Sequence, residues 1–266
     1  MKFITKSKFH LFFSVLPLVI IAGAIKVGAH YAGWEFIPKD MTSFFPSILT
    51  GIIFLLGFIL AGVISDYKES EKFPNDISTS LFILWQEASI AWKTNQNKGA
   101  KTLQEKIRQF VPMLKKDFFL ERNTRIYDML DSFNDDFVEM DKNVAPPLMG
   151  RLRNEQANIK KMLSRVDVIK DTDFMPSVFV SIRVITVLFI LMYCFLQTDP
   201  NTWWGGIIIV SIFTFVIFSI IFLIADMEDP FEYDEDMDEN VKSDEVSLEV
   251  LNQFHERIVK SEVNSQ

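Results

Sequence analysis

Four stretches of this chain, Leu11 to Gly28, Pro46 to Ser65, Ser177 to Gln197 and Trp203 to Ala225, are dominated by apolar side chains. Each runs about 18 to 23 residues, enough at about 1.5 Å per helical residue to cross a hydrocarbon core of about 30 Å. Lipid offers the backbone no hydrogen-bond partner, so segments of this kind must be helices. Four spans in two pairs, separated by more than a hundred residues of mixed composition, bound everything else the chain can do.

Composition agrees. The 266 residues are 49% hydrophobic, with 26 Phe against 10 Gly and 10 Pro, which is rich for a soluble domain and ordinary for a membrane protein. Lys2, Lys6 and Lys8 precede the first span and Lys68 and Lys72 follow the second, whereas the short connectors 30–45 and 198–202 offer only Lys39. Positive charge marks the cytoplasmic side, so both termini and the central segment are expected inside. Trp34, Trp203 and Trp204 then fall at the opposite interface, where an aromatic belt belongs. The first span also has the outline of a cleavable signal peptide. Its length and the consistent topology that retention gives favour keeping it. Arg183, about a turn and a half inside the third span, is read as snorkelling to the inner interface.

Between the span pairs, apolar residues recur at helical spacing, as in Ile77, Leu81, Leu84, Trp85, Ala88 and Trp92, or Leu152, Ile159, Leu163 and Val166. Breaks at NQNKG (95–99), Pro112 and APP (145–147) suggest about four amphipathic helices, and no run alternates long enough for a strand. The expected class is all-α: a four-span membrane protein with a cytoplasmic helical bundle inserted between spans two and three. The expected divisions are 1–66 for spans one and two, 67–176 for the insert, 177–226 for spans three and four, and 227–266 for an acidic cytoplasmic tail.

A formal charge of −8 argues against a nucleic-acid partner. Much of the acid is local: EDPFEYDEDMDE, residues 228–239, follows the fourth span directly. So dense a run is either a solvated tail or a site for a hard cation such as calcium. Asp234, Asp236 and Asp238 match the first three ligand positions of an EF-hand loop, but Glu239 stands where that loop needs glycine, so an EF-hand is rejected. Cys194 is the only cysteine and the three histidines are far apart in sequence, so neither a disulfide nor a histidine metal cluster is expected. The sequence contains no GxxxxGK[ST], HExxH, GxSxG or GxGxxG, and an enzyme is not expected.

Two stretches carry a family resemblance. FLLGFILAGVISDYKESEKFPNDI, residues 54–77, resembles the second span of the bestrophins and bacterial bestrophin-like membrane proteins, with its aromatic, its Gly-Phe pair and its Pro-and-Asp turn into a following helix. EDPFEYDEDMDE is similar to that family's Pro-Phe and acidic run after the last span. The resemblance implies a homopentamer in the membrane lipid, in a bacterial inner membrane, whose second spans line a pore for chloride or other small monovalent anions. It places a hydrophobic neck at Thr50, Phe54 and Phe58, where the family has an aliphatic in place of Thr50, and an inner mouth at Ser65 and Asp66. It places a calcium clasp on Asp234, Glu235, Asp236 and Asp238, although bacterial relatives do not require one, so no cofactor is demanded. Asp66 stands where relatives carry a base, which would favour cations. Two other readings remain open: a cation-selective channel of the same fold, and a non-conducting membrane adaptor or sensor acting through its helical bundle. Independently of the family, Thr50, Phe54, Gly57, Phe58, Ala61 and Ser65 share one face at i, i+3 and i+4 spacing.

Overall fold

The computed structural model describes residues 10–116, 125–171, 176–199, 201–228, 230–231 and 246–263. Among these, the only regular elements are helices, and the single β feature is an isolated parallel bridge between Ile37 and Leu196. The chain forms two compact units. One takes the described residues up to Tyr67 and those of 176–228; the other takes Lys68 to Asp171, Pro230, Phe231 and 246–263.

The first unit holds α1 (His10–Tyr31), most of α2 (Phe45–Ser70), α8 (Pro176–Cys194) and α9 (Trp203–Glu228). Each contains a stretch long and apolar enough to cross a membrane. Because lipid tails are as apolar as leucine, such helices associate through close packing and shared polar contacts, not through hydrophobic burial. α1 and α9 do this along much of their length. Val15, Ala22, Lys26 and Ala29 form the buried stripe of α1, and Val210, Thr214, Ile217 and Ile221 that of α9. Small residues let the two backbones approach: a Cβ on Gly23 would meet Ser211 Oγ at 3.7 Å, and one on Gly206 would meet Lys26 Cε at 3.1 Å. Cys194 is fully buried, its Sγ 3.6 Å from the Ala22 carbonyl, and so serves as a small core residue.

Water surrounds a different kind of core in the second unit, built by α3 (Phe73–Asn95), α4 (Lys98–Met113), α5 (Arg125–Asp131), α6 (Phe133–Met140), α7 (Pro146–Asp171) and α10 (Glu249–Val263). Ile77, Leu81, Leu84, Leu103, Leu152 and Leu163 are among its fully buried members, at the helical periodicity seen in the sequence. NQNKG is a true break. Gln96 takes the left-handed conformation (φ 47°), and Asn97 caps α4 by accepting the Ala100 N–H at 3.2 Å while donating to the Glu139 carbonyl at 3.3 Å. APP is another, with Pro146 opening α7, where a missing N–H costs nothing.

Two expectations need correction. Pro112 does not end a helix: α4 continues to Met113 and into a π turn at 114–116, held by the burial of Val111 and Leu114. The insert accordingly has five described helices rather than about four. Residues 246–263, assigned to the acidic tail, contain α10, whose Leu251, Phe254 and Ile258 join the core of the second unit. Phe254 meets Phe82 edge to face at 6.2 Å.

The tightest approach in this unit is at Gly99, where an added Cβ would lie 2.7 Å from the Asp136 carbonyl oxygen and 3.0 Å from Glu139 Cβ. Backbone cannot swing aside as a side chain can, so Gly99→Ala should cost about 1–3 kcal/mol. The expected result is a melting temperature for the purified full-length protein lowered by about 2–4 °C per kcal/mol. An unchanged melting curve would show that α4 and α6 are packed more loosely than this.

Candidate functional site

α2 has two unlike faces. Phe45, Ile52, Leu56, Ile59 and Val63 are 4%, 2%, 0%, 1% and 2% exposed and pack into the core that α8 and α9 share. Thr50, Phe54, Phe58, Ala61 and Ser65 point the other way, with Phe54 72% and Phe58 63% exposed in the single chain. Asp66, half-exposed, follows at the end of that stripe. The Thr50 hydroxyl donates to the Pro46 carbonyl at 2.8 Å, so it is taken by its own helix and the apolar part of the side chain is what remains for a neighbour. Among the described residues, Gly51 and Gly57 have nothing within 4 Å of an added Cβ, so the close packing expected of them is not made there.

Upstream of α2, in the connector that leads into it, lies a polar cluster that the sequence reading missed. Lys26, 1% exposed, donates from Nζ to Glu35 Oε1 at 2.8 Å and to the Leu196 carbonyl at 2.6 Å. Glu35 also accepts the Thr198 N–H at 3.1 Å and the Thr198 hydroxyl at 3.0 Å, and His30 Nδ1 lies 3.3 Å away. Burial by itself would push the Glu35 carboxyl up, but the bonds from Lys26 and Thr198 outweigh it and hold it down to about 2. Glu35 is therefore an anion in a cradle of donors. His30 in turn stacks on Trp203 at 4.8 Å and 3°.

The same connector is stitched a second time just beyond. Ile37 N–H donates to the Phe195 carbonyl at 3.1 Å and Gln197 N–H to the Ile37 carbonyl at 2.9 Å, with Phe36 stacked on Phe195 at 5.1 Å. Lys39 pairs with Asp199. A 3-10 helix, Lys39–Phe44, then runs directly into α2, whose first residue, Phe45, packs on Phe189 and Tyr193 at 5.7 and 5.3 Å. A lysine at the edge of an apolar span is the signal that could have led to this cluster. Its partners, however, lie up to 170 residues away and include a backbone carbonyl.

In the second unit several charged groups are paired. An open groove of about 660 Å³ in the second unit is crossed by the two-point bond from Arg165 to Glu69, at 3.1 and 3.0 Å, which lowers the Glu69 carboxyl. Lys115 donates to Asn252 at 3.2 Å and Lys160 to Asp131 at 2.9 Å. Among the described residues, no three His, Cys, Asp or Glu side chains gather as a metal site. Asp234, Glu235, Asp236 and Asp238 lie outside the described residues.

No family model and no curated protein matches this chain in sequence. Solved structures do match it in fold. A bacterial bestrophin homolog from Klebsiella pneumoniae superposes with a TM-score of 0.76 over 94% of this chain and 97% of that one, at 12% identity. A point-substituted structure of a Klebsiella pneumoniae bestrophin homolog gives 0.74 over 94% and 98%, also at 12%. A glycine-to-alanine variant described as a membrane protein gives 0.72 over 96% and 97%, at 13%. With four membrane-length helices and agreement over nearly the whole of both chains, the protein is an integral membrane protein with the all-α bestrophin fold.

Proposed function

We propose that this protein is an ion channel in which copies of the chain surround an axis and α2 lines the pore. The observation that carries the reading is the outward stripe of α2. Two phenylalanines one turn apart, flanked by Gly57, Ala61 and Ser65, stay largely exposed among the described residues, while the opposite face of the same helix is almost completely buried. In a ring of subunits that stripe would form successive belts: Thr50, Phe54 and Phe58 as an apolar neck, then Ser65 and Asp66 at the inner mouth. A ring of Phe can gate by dewetting, and aromatic edges carry positive charge that can face an anion. The family resemblance in 54–77 supports a homopentamer passing small monovalent ions, chloride among them.

One observation favours cations instead. Along α2 the first base is Lys68, so Asp66 is the charge that the stripe itself brings to the mouth. A ring of carboxylates raises the local cation concentration. The remaining parts of the reading fit around this pore. Apolar outward residues such as Val180, Val184 and Leu188 of α8 suit lipid. The lysines near the N-terminus and after α2 support a topology with both termini and the second unit in the cytoplasm, and the family resemblance supports a bacterial inner membrane. Arg183 lies over the Phe179 ring at 4.5 Å, a turn nearer that side. We propose calcium at Asp234, Glu235, Asp236 and Asp238 only as an optional ligand; calorimetry on the full chain, with and without a chelator, would decide it.

Purified protein in liposomes should pass monovalent ions, and Phe58→Ala should raise the flux several-fold by widening and wetting the neck. Absence of flux for every monovalent ion, from a preparation inserted and oligomeric, would sink the channel reading and favour the adaptor. Asp66→Asn should shift the reversal potential in a salt gradient towards anions, raising the anion-to-cation permeability ratio several-fold. An unmoved reversal potential would remove Asp66 from the permeation path.

A further inference from the structure

We propose that Lys26 and Glu35 are positioning residues for the second span: their ion pair, buried on the Lys26 side and partly buried at Glu35, clamps the connector leading into α2 and so sets where the neck residues stand. The proposal rests on the pore reading for its functional consequence. Neither residue lies on α2, so neither touches a permeating ion in that arrangement.

The geometry leaves the connector no slack. Four segments of the membrane unit converge on the pair: Lys26 and His30 from α1, Glu35 from the connector, Leu196 and Thr198 from the exit of α8, and Gly206 of α9 against the Lys26 side chain. Two residues after Glu35, Ile37 is bridged to Leu196, whose carbonyl Lys26 also holds. Pro38, with φ −62°, and a 3-10 helix then carry the chain to Phe45 with no glycine between. Phe45 is 4% exposed. Thr50, Phe54 and Phe58 follow on the same unbroken helix, at about 7.5, 13.5 and 19.5 Å from it at 1.5 Å per residue. A tilt at the clamp is therefore delivered to all three.

Chemistry explains why charge is used here. An ion pair largely withdrawn from water seldom stabilises more than apolar packing of the same volume would, and the role we assign to this one is to impose a single geometry. Apolar side chains alone would let the connector slide. A carboxylate fixed by an ammonium, a backbone N–H and a hydroxyl admits one placement, because moving it leaves buried polar groups unsatisfied. Lys26 at 1% exposure makes that penalty severe.

The test compares Glu35→Gln with Lys26→Met/Glu35→Gln in the full-length protein, reading melting temperature, oligomer mass and unitary flux on the same preparations. Glu35→Gln strands a buried ammonium and should lower the melting temperature and change unitary flux several-fold. The double variant has no stranded charge, so its melting temperature should recover while its flux stays altered, since the directional clamp is gone. Flux that recovers in step with stability, or that never changes in an assembled variant, overturns the proposal. A second readout is independent of conduction. Spin labels on Ser47→Cys and Thr202→Cys, in a Cys194→Ala background, report the start of α2 against the α8–α9 connector. Their distance distribution should shift or broaden in Glu35→Gln, and an unchanged distribution overturns the clamp even if flux differs. A wild-type protein that passes no ion sinks the pore reading alone, because the label distances still judge the clamp.

Discussion

The Lys26 side chain is 1% exposed in a largely apolar helix, and the connectors of the membrane unit are arranged around what it takes to keep it there. Removing a charge from water costs several kcal/mol even after relaxation, and in a lipid setting the protein must supply every compensating contact. Glu35 supplies the opposite charge and the Leu196 carbonyl supplies a second acceptor. To bring both to one nitrogen, the α1–α2 and α8–α9 connectors must lie side by side, and the Ile37–Leu196 bridge is the form this takes. Gly206 must stay small for the lysine stem to pass. One electrostatic requirement thus organises four segments that have little hydrophobic reason to choose each other.

The two units solve opposite problems. In the second, water drives apolar side chains together, and burying residues such as Leu81, Leu103 and Leu163 contributes roughly 1.5–3 kcal/mol each. Polar contacts there refine the packing: Tyr127 donates to Asp167 at 2.5 Å, and Lys106 sits 2.7 Å from a buried Asp136 whose carboxyl burial pushes up. In the first unit that driving force is weak. Small residues, a cysteine packed on a carbonyl, and the Lys26–Glu35 pair specify the arrangement instead.

The sequence made the spans legible because hydrocarbon thickness leaves a length signal that needs no tertiary knowledge. The phase of α2 was legible for a similar reason: Thr50, Phe54 and Phe58 are one turn apart, and the structure puts them together on the outward face. The clamp was not legible. Lys26 alone looks like a charge near a span end, and its partners become visible only when residues 35 and 196–198 are brought to it. Helix α10 left a signal that the neighbouring acid obscured, since Leu248, Leu251, Phe254 and Ile258 recur at helical spacing. Pro112 misled because a proline removes one hydrogen bond, a loss that buried neighbours on the same turn can offset.

Exposure alone does not distinguish a pore face from a lipid face, since both look unpartnered in one chain. Their chemistry does. The outward face of α8 is chiefly bulky and aliphatic, with Val180, Val184, Val187 and Leu188 at 59%, 52%, 45% and 55% exposed, as lipid tails favour. The outward face of α2 mixes two rings with Thr50, Gly57, Ala61 and Ser65 and ends at an acid. Lipid gains nothing from glycine, serine and carboxylate on one stripe, whereas a narrow path for ions uses each: small residues for room, rings for a dry constriction, and charge at the mouth. The contrast between two exposed faces of one unit, more than either face by itself, is what supports the proposal that α2 lines a pore.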